Sequence, residues 1–223
     1  MRPTNITRNI GGWLTEAEGH YLYETAKKVK KGNAIVEIGS WKGKSTICLG
    51  LGSRDGRGVK IVAIDPHTGN SEHRRRFGKV NTFAEFKRNI HKAGVSPYIE
   101  SILDTSENAS HTFYGRVGFI FIDGAHELKS VWSDWKLWFP KVIDNGIVAF
   151  HDTWHYPGPN FATAIILLTS HHVRHPRLVD TITCFEKVEK NFFLDRIQNT
   201  CFVLYRTLVG FWGAVKLSYS SRA

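Results

Sequence analysis

The chain of 223 residues is long enough for one substantial α/β domain and too short for two full ones. Hydrophobic residues make up 42% of it, without a low-complexity tract or an apolar run of eighteen residues, which predicts a packed core and argues against a membrane-spanning helix. The net charge is +10, the three cysteines share no metal-like spacing, and the N-terminus lacks the apolar stretch of a signal peptide. We therefore expect a basic protein of the reducing cytoplasm.

The predicted elements are short apolar runs that alternate with helical segments. In chain order, strands are predicted at residues 34–38, 60–64, 98–103, 117–122, 146–150, 181–188 and 201–205, and helices at 15–30, 45–51, 82–93, 127–139 and 159–171. Continuous apolar strands that alternate with helices indicate a Rossmann-like, doubly wound and mainly parallel sheet. The last two of the seven strands are expected to close this sheet as an antiparallel hairpin.

We expect a single domain in three parts: a helical N-terminal cover (1–32), a Rossmann-like core (33–205) and an amphipathic C-terminal tail (206–223). In the tail, Leu208, Phe211, Trp212 and Val215 stand at helical spacing. This stripe predicts core packing or a contact in a homodimer. Contact with a membrane surface is the third interpretation, favoured by Trp212, Lys216 and the basic balance.

Half of the excess positive charge lies between Pro66 and Lys92, which hold seven Lys and Arg against two acidic residues. The centre of this segment is His73-Arg74-Arg75-Arg76. Such a segment is usually a solvated loop, although an anionic substrate, a nucleic acid or an acidic membrane could also bind it. Its aromatic residues are only Phe77, Phe83 and Phe86, and this argues against a nucleic-acid platform.

Polar residues follow four of the predicted strands. Glu37 and Gly39 end the first strand, Asp65 ends the second, Asp123 the fourth, and the pair His151-Asp152 the fifth. In sheets of this kind, ligands bind beyond the carboxyl ends of the strands, where the strand order reverses. Acids at four strand ends therefore indicate a ligand site at this edge of the sheet.

The turn between Gly39 and Thr46 narrows the choice of ligand. Its Gly-x-x-x-Gly spacing does not match a dinucleotide fingerprint and is one residue short of a P-loop, so a P-loop-like NTPase is kept as an alternative. Glu37 offers a carboxylate to an ammonium group, Ser45 a hydroxyl to a carboxylate, and Asp65 can hold both hydroxyls of a ribose. These groups suit an adenosine that carries an amino acid, whereas the two acids would repel a triphosphate.

The segments VEIGSWKGKST (36–46), AIDPH (63–67), FIDGAH (121–126) and AFHDT (149–153) occur in this order. Together they resemble class I S-adenosylmethionine-dependent methyltransferases, in particular those similar to catechol and caffeoyl-CoA O-methyltransferases and to sugar or antibiotic-tailoring O-methyltransferases. The resemblance implies S-adenosylmethionine as the cofactor, bound by Glu37, Gly39, Ser40, Gly43, Ser45, Asp65 and Asp123. It also implies that Asp104, Thr105 and Ser106 lie beside the adenine, where a helix N-cap is the alternative interpretation.

Relatives of the catechol type bind a magnesium-like ion with an acid after the fourth strand and an adjacent pair after the fifth. The matching residues here are Asp123, His151 and Asp152, and the imidazole would shift the preference from Mg²⁺ toward Mn²⁺ and other transition metals. Where relatives carry a lysine base, this chain has His126, so the resemblance implies catalysis by His126 with Asp123 beside it. His155 is the alternative base, and ordinary surface or capping roles are the alternatives for all of these residues.

The sequence thus predicts an enzyme that methylates a hydroxyl of a small molecule or sugar, with or without a divalent metal ion. A P-loop-like NTPase and a non-catalytic protein that binds S-adenosylmethionine are the alternatives. The sequence does not identify the acceptor.

Overall fold

The computed structural model describes residues 3–69 and 78–220, with side chains up to Leu208 apart from that of Thr4. The basic run His73-Arg74-Arg75-Arg76 lies outside the described residues. The strands are β1 (Ala34–Ile38), β2 (Ile61–Ile64), β3 (Ile99–Ile102), β4 (Val117–Ile122), β5 (Val142–Phe150), β6 (Val173–Val179) and β7 (Ile182–Lys187). The α-helices are α1 (Pro3–Thr7), α2 (Glu16–Lys28), α3 (Lys44–Asp55), α4 (Phe83–Lys92), α5 (Ser106–Thr112), α6 (Leu128–Trp138), α7 (Pro157–Thr169) and α8 (Phe193–Ser220), and Ser96–Tyr98 and Phe139–Lys141 are short 3-10 helices.

The seven strands form one sheet in the order β3-β2-β1-β4-β5-β7-β6. Strands β1 to β5 are parallel, and β7 is antiparallel to both β5 and β6. This confirms the predicted Rossmann-like fold with its C-terminal antiparallel hairpin. The chain runs outward from β1 to β3 and then returns to β4, so the strand order reverses between β1 and β4.

Both faces of the sheet are buried under helices. Successive side chains of a strand point to opposite faces, so each strand contributes to both cores. Phe119 and Phe121 of β4 pack in the core formed with α2, α3 and α4. Ile120 and Ile122 pack in the opposite core, which includes Trp138 of α6 and residues of α7 and α8. Burial on both sides explains why β1, β2 and β4 are continuous apolar runs that could be predicted from sequence.

One strand of the hairpin was predicted in the wrong place. Residues 201–205 lie within helix α8, and the partner of β7 is β6. The run CFVLY is too short for its periodicity to separate a buried strand from a helix. Strand β6 escaped prediction because Pro176 and its charged neighbours do not resemble a strand; the sheet accepts the proline because β6 is an edge strand whose register shifts between Arg174 and Arg177.

Helix α2 begins with the predicted capping box. Thr15 Oγ1 accepts a hydrogen bond from Glu18 N at 3.2 Å, and Glu18 Oε2 accepts one from Thr15 N at 2.9 Å. The helix lies against α3 so closely that a Cβ atom on Gly52 would be 2.2 Å from the carbonyl oxygen of Tyr23. The segment before this helix, 11–14, extends over the carboxyl edge of the sheet.

Helix α8 starts at Phe193, so the predicted boundary between core and tail falls inside a single helix. Its inner face is buried against β6 and α7 through Asn199, Val203 and Arg206. Among the described residues, no helix combines the length and the apolar character needed to cross a membrane.

Candidate active site

A cavity of about 570 Å³ opens above the carboxyl ends of β1, β2, β4 and β5, at the reversal of strand order. Its size lies in the range of small-molecule sites. The predicted site residues in its wall are Gly39, Ser40, Ser45, Asp65, Thr105, Ser106, Asp123, His126, His151 and Asp152. Four others do not line it: Glu37, Gly43, Asp104 and the alternative base His155. Residues 11–14 complete the wall from the N-terminal side.

The glycine turn is held against the ends of β2 and β4. Gly39 has φ +88°, and a Cβ atom there would lie 2.0 Å from the carbonyl oxygen of Asp123, so only glycine fits. Trp41 N donates a hydrogen bond to Asp65 Oδ2 at 2.7 Å. Gly43, with φ +89°, is the N-cap of α3 and brings Ser45 into the first turn of that helix. The turn therefore places backbone and hydroxyl groups at the cavity floor.

Glu37 lies one layer below the cavity wall and is fully buried. Its Oε2 accepts a hydrogen bond from Thr46 Oγ1, whereas Oε1 has no hydrogen-bond partner within the part of the chain that the structure describes. The same holds for the buried Ser40 Oγ. Burial raises the pKa of Glu37 to about 8; the hydroxyls of Ser45 and Thr46 oppose this, and the charges of Asp123 and Asp65 add to it. Glu37 is therefore largely protonated at neutral pH unless a cation lies beside it.

Asp65 is fixed by backbone donors from two directions. Its Oδ2 accepts from Trp41 N, and its Oδ1 accepts from His67 N at 2.6 Å. The ring of His67 is in turn held by Thr82, whose Oγ1 lies 2.8 Å from Nδ1. A carboxylate oxygen has more than one lone pair, so both oxygens of Asp65 can still accept a hydroxyl from a ligand in the cavity.

The segment after β3 contributes both a helix cap and part of the cavity wall. Thr105 is the N-cap of α5, where it accepts a hydrogen bond from Asn108 N at 3.2 Å, and it also lines the cavity. The hydrogen bonds from Asn108 and Thr105 N lower the pKa of Asp104, and they hold its carboxylate outside the cavity wall. Ser106 does line the cavity, and its hydroxyl donates to Asp134.

Asp134 is a cavity residue that the sequence analysis missed. It lies on α6, its pKa is raised to about 6 by burial, and the hydroxyl of Ser106 opposes that rise. Trp138 Nε1 donates to Ser106 Oγ at 3.1 Å and completes this small network. The signal that could have revealed Asp134 is an acid between two tryptophans on the buried face of an amphipathic helix.

His151 is enclosed by three carboxylates. Its Nδ1 lies 3.1 Å from Asp123 Oδ1 and 3.2 Å from Asp152 Oδ2, and its Nε2 lies 3.3 Å from Glu18 Oε2. Burial alone would lower the pKa of His151, but Asp123 first, with Asp152 and Glu18, raises it well above the usual range. The ring is therefore an imidazolium that donates from both nitrogens.

Glu18 is the second residue that the sequence analysis did not place in the site. Besides His151, it binds Thr181, whose N and Oγ1 lie 2.9 and 2.6 Å from Glu18 Oε1. Burial opposes its ionisation, but the hydrogen bond and charge of His151 outweigh burial and lower the pKa of Glu18 to about 2. The capping pattern already accounted for this glutamate, so the sequence carried no separate signal of its tertiary contact.

His126 also lies close to the two acids that contact His151. Potential ligand atoms of Asp123, His126 and Asp152 all lie within 4.8 Å of one another. His126 Nε2 is 3.3 Å from Asp152 Oδ2, and the ring of His126 stacks on Tyr156 at a centroid distance of 3.8 Å. Burial would raise the pKa of Asp152, but the hydrogen bonds from His126 and His151 hold it well below its usual range. Burial also raises the pKa of Asp123, against the charge of His151.

Comparison with known proteins gives the chain a family. A family model described as "Methyltransferase domain" matches residues 36–153. Protein R132 of Acanthamoeba polyphaga mimivirus is 27% identical over 155 residues, which cover 68% of this chain and 66% of that protein, or slightly less than two thirds of its length.

Two solved structures share the fold. The O-methyltransferase NovP superposes with a TM-score of 0.69 at 16% identity, over 80% of this chain and 84% of NovP. The methyltransferase PaMTH1 of Podospora anserina, solved with S-adenosylhomocysteine bound, gives a TM-score of 0.63 at 18% identity, over 84% of this chain and 86% of PaMTH1. These likenesses show a Rossmann-like fold, and the family model spans more than half of the chain, including every strand end that lines the cavity. The chain belongs to the methyltransferase-domain family.

Proposed function

We propose that the chain is an S-adenosylmethionine-dependent O-methyltransferase that acts on a hydroxyl of a small molecule or a sugar. The observation that carries this proposal is the cavity between the glycine turn and Asp65, beside the unpartnered polar atoms of Glu37 and Ser40. NovP is an O-methyltransferase and PaMTH1 holds S-adenosylhomocysteine, and both likenesses support the proposal. A P-loop-like NTPase loses support, because two acids flank the turn that would hold its phosphates.

The residues around the cavity fit the three parts of this cofactor. Asp65 would accept hydrogen bonds from the ribose hydroxyls, and Ser45 at the start of α3 would hold the carboxylate. An ammonium group near the turn would favour the ionised form of Glu37, whose pKa is raised by burial. Ser106 and Asp134, which also line the cavity, would lie beside the adenine. Asp104 has no part in this assignment, because its carboxylate lies outside the cavity wall.

His126 is proposed as the general base. The bound cofactor supplies an electrophilic methyl sulfonium, so the chain has to orient the acceptor and remove its proton. The acceptor oxygen would gain the methyl group, with S-adenosylhomocysteine as the leaving group, and would lose its proton to the ring nitrogen of His126 that does not donate to Asp152. The carboxylate of Asp152, 3.3 Å from Nε2 of His126, would stabilise the imidazolium formed, and Tyr156 stacks on the ring.

Asp123, His126 and Asp152 would hold a divalent ion if the enzyme uses one. Two carboxylates and an imidazole suit Mn²⁺ or a similar transition metal better than Mg²⁺. His126 Nε2 would then be a ligand, and the ion would lower the pKa of the acceptor hydroxyl in place of the base. We favour the metal-free role, because the imidazolium of His151 already contacts both Asp123 and Asp152 and compensates their charge.

Transfer of a radiolabelled methyl group from S-adenosylmethionine to a panel of phenols and sugars tests the proposal. We expect product with at least one class of acceptor and undiminished turnover in EDTA. Cofactor binding without transfer to any acceptor would instead support a non-catalytic binding protein. Turnover that EDTA abolishes and Mn²⁺ restores would make His126 a metal ligand and remove its role as base.

A further inference from the structure

Asp134 is a buried acid of the cavity wall that has no basic partner. The residue lines the cavity although it is only 8% exposed. An aspartate is almost never buried to this extent unless its charge is paired. Among the described residues, however, no basic side chain forms an ion pair with it, and its one hydrogen-bond donor is the hydroxyl of Ser106. The carboxylate therefore has acceptor capacity that the described part of the chain does not use.

The hydrogen bonds around Ser106 fix which oxygen of Asp134 is occupied. An indole N–H can only donate, so Ser106 Oγ, 3.1 Å from Trp138 Nε1, is the acceptor of that bond. The hydroxyl hydrogen of Ser106 is then directed to Oδ1 of Asp134. The other oxygen, Oδ2, lies 3.6 Å from the position that a Cβ atom on Gly124 would take, and Gly124 also lines the cavity. Oδ2 is thus the oxygen left for a ligand.

The bond to Ser106 places Asp134 at one end of the ligand site. Ser106 follows β3 and Asp152 follows β5, and the strands β2, β1 and β4 lie between them in the sheet. The proposed ribose contact, Asp65, follows β2, which is the neighbour of β3. The part of the cofactor beside Asp134 is therefore the nucleobase, whereas the acceptor hydroxyl belongs with His126 and Asp152.

The cavity wall also offers surfaces that suit a flat ring. Ile64 and Pro66 stand at the end of β2, Gly124 and Ala125 follow β4, and all four line the cavity. Apolar and small residues hold a ring without selecting it, so selection falls to the few polar groups of the wall. The 6-amino group is the hydrogen-bond donor of adenine, and its ring nitrogens accept. A carboxylate, which only accepts, is complementary to the amino group.

We propose that Asp134, oriented by Ser106, selects the adenine of the cofactor by accepting a hydrogen bond from its 6-amino group. This inference rests on the proposed S-adenosylmethionine site and adds the residue that decides which nucleobase binds there. A purine without the amino group would leave the buried carboxylate without a donor. The cost of an unpaired buried group is what makes such a site selective.

Titration calorimetry with S-adenosylhomocysteine and with its 6-deamino analogue, in which a hydrogen atom replaces the amino group, tests the proposal. The measurement is made at pH 8, where the Asp134 carboxyl is ionised because its pKa, raised by burial, is about 6. The unmodified chain should bind S-adenosylhomocysteine at least about tenfold more tightly than the analogue. Asp134→Asn should reduce this preference to about threefold or less, because its amide oxygen accepts from Ser106 and its NH₂ group meets the ligand.

Glu107→Gln is the matched control. Glu107 also lines the cavity and lies next to Ser106, but its side chain is exposed, so the substitution should leave the preference unchanged. The preference is a ratio within each variant, so a general loss of affinity does not imitate its loss. Thermal unfolding checks the fold of each variant, and Asp134→Ser, with the same expected loss of preference, is used if Asp134→Asn does not fold.

Equal binding of the two ligands by the unmodified chain would overturn the inference and leave the proposed function standing. A preference that survives in Asp134→Asn, or that is lost in Glu107→Gln instead, would overturn it as well. Absence of S-adenosylhomocysteine binding by the unmodified chain would overturn the proposed function and this inference with it.

Discussion

The buried carboxyl group of Glu37 should make the stability of the fold depend on pH. Its pKa in the folded chain, about 8, lies above its ordinary value of 4.5, so the folded state retains a proton that the unfolded state has lost between these values. The free energy of unfolding should therefore fall as pH rises through this window, by about 1.4 kcal/mol per pH unit from this group. Glu37→Gln keeps the shape and removes the titration.

Denaturant unfolding between pH 5 and 7.5 measures this effect as a difference between variants. The Glu37→Gln substitution should flatten the slope, so that its stability relative to the unmodified chain increases toward higher pH. Glu100→Gln, at an exposed position of β3, is the control for loss of one acid. Parallel slopes for Glu37→Gln and the unmodified chain would show that Glu37 is ionised in the folded state.

His126 is the residue on which the proposed chemistry depends most. His126→Ala should lower kcat by about 10²- to 10⁴-fold, the usual contribution of a general base, while the cofactor dissociation constant changes little. His155→Ala is the matched control, since His155 is exposed and outside the cavity wall. Equal turnover in the two variants, with an acceptor that the unmodified enzyme methylates, would dismiss His126 as the base.

The separate roles of His126 and His151 could not be predicted from the sequence. Position after a strand identified His151 and Asp152 as site residues, and the family resemblance identified His126. Neither indicates which of the two rings lies between the acids and Glu18. That distinction depends on Glu18, which contacts His151 across 133 positions of the chain. No local pattern reports a contact of this kind.

At the scale of elements, the ends of β1 and β4 are in close backbone contact beside the cavity. Gly39→Ala should destabilise the fold by several kcal/mol, because its Cβ would overlap the carbonyl oxygen of Asp123 in addition to the strain of a positive φ. Gly94→Ala is a matched control: Gly94 also has a positive φ, +68°, but its Cβ would meet no atom within 4 Å. It should cost only about 1 kcal/mol.

Chemical denaturation of both variants separates the overlap from the backbone strain. The difference between them reports the contact of the two strand ends, and cofactor affinity should fall for Gly39→Ala alone. Similar losses of stability at the two positions would indicate that the ends of β1 and β4 can separate at little cost.

The strands that are buried on both faces were the easiest elements to predict, and the elements at the C-terminal edge of the sheet were the hardest. The apolar runs of β1, β2 and β4 and the capping box of α2 follow from local chemistry. Strand β6 and helix α8 depend instead on tertiary context. The edge position of β6 accepts Pro176. The packing of Asn199 and Arg206 on β6 and α7 stabilises a helix over residues 201–205, which also resemble a strand.

At the scale of the whole molecule, the reversal of strand order explains why residues distant in sequence meet. Gly39, Asp65, Asp123 and Asp152 each follow a different strand, and the parallel sheet brings their carboxyl ends to one cavity. The family and the fold could be predicted because four such motifs occur in order. The acceptor could not, because the cavity wall that would select it includes residues 11–14, which belong to no motif.

We propose that this cavity binds S-adenosylmethionine with Asp65 as a principal anchor. Titration calorimetry with S-adenosylhomocysteine tests it most directly, using the unmodified chain, Asp65→Asn and the control Asp104→Asn. We predict micromolar binding by the unmodified chain and by Asp104→Asn, and a loss of at least about tenfold, ~1.4 kcal/mol, for Asp65→Asn. Absence of S-adenosylhomocysteine binding, binding of ATP in its place, or unchanged affinity in Asp65→Asn would contradict the account.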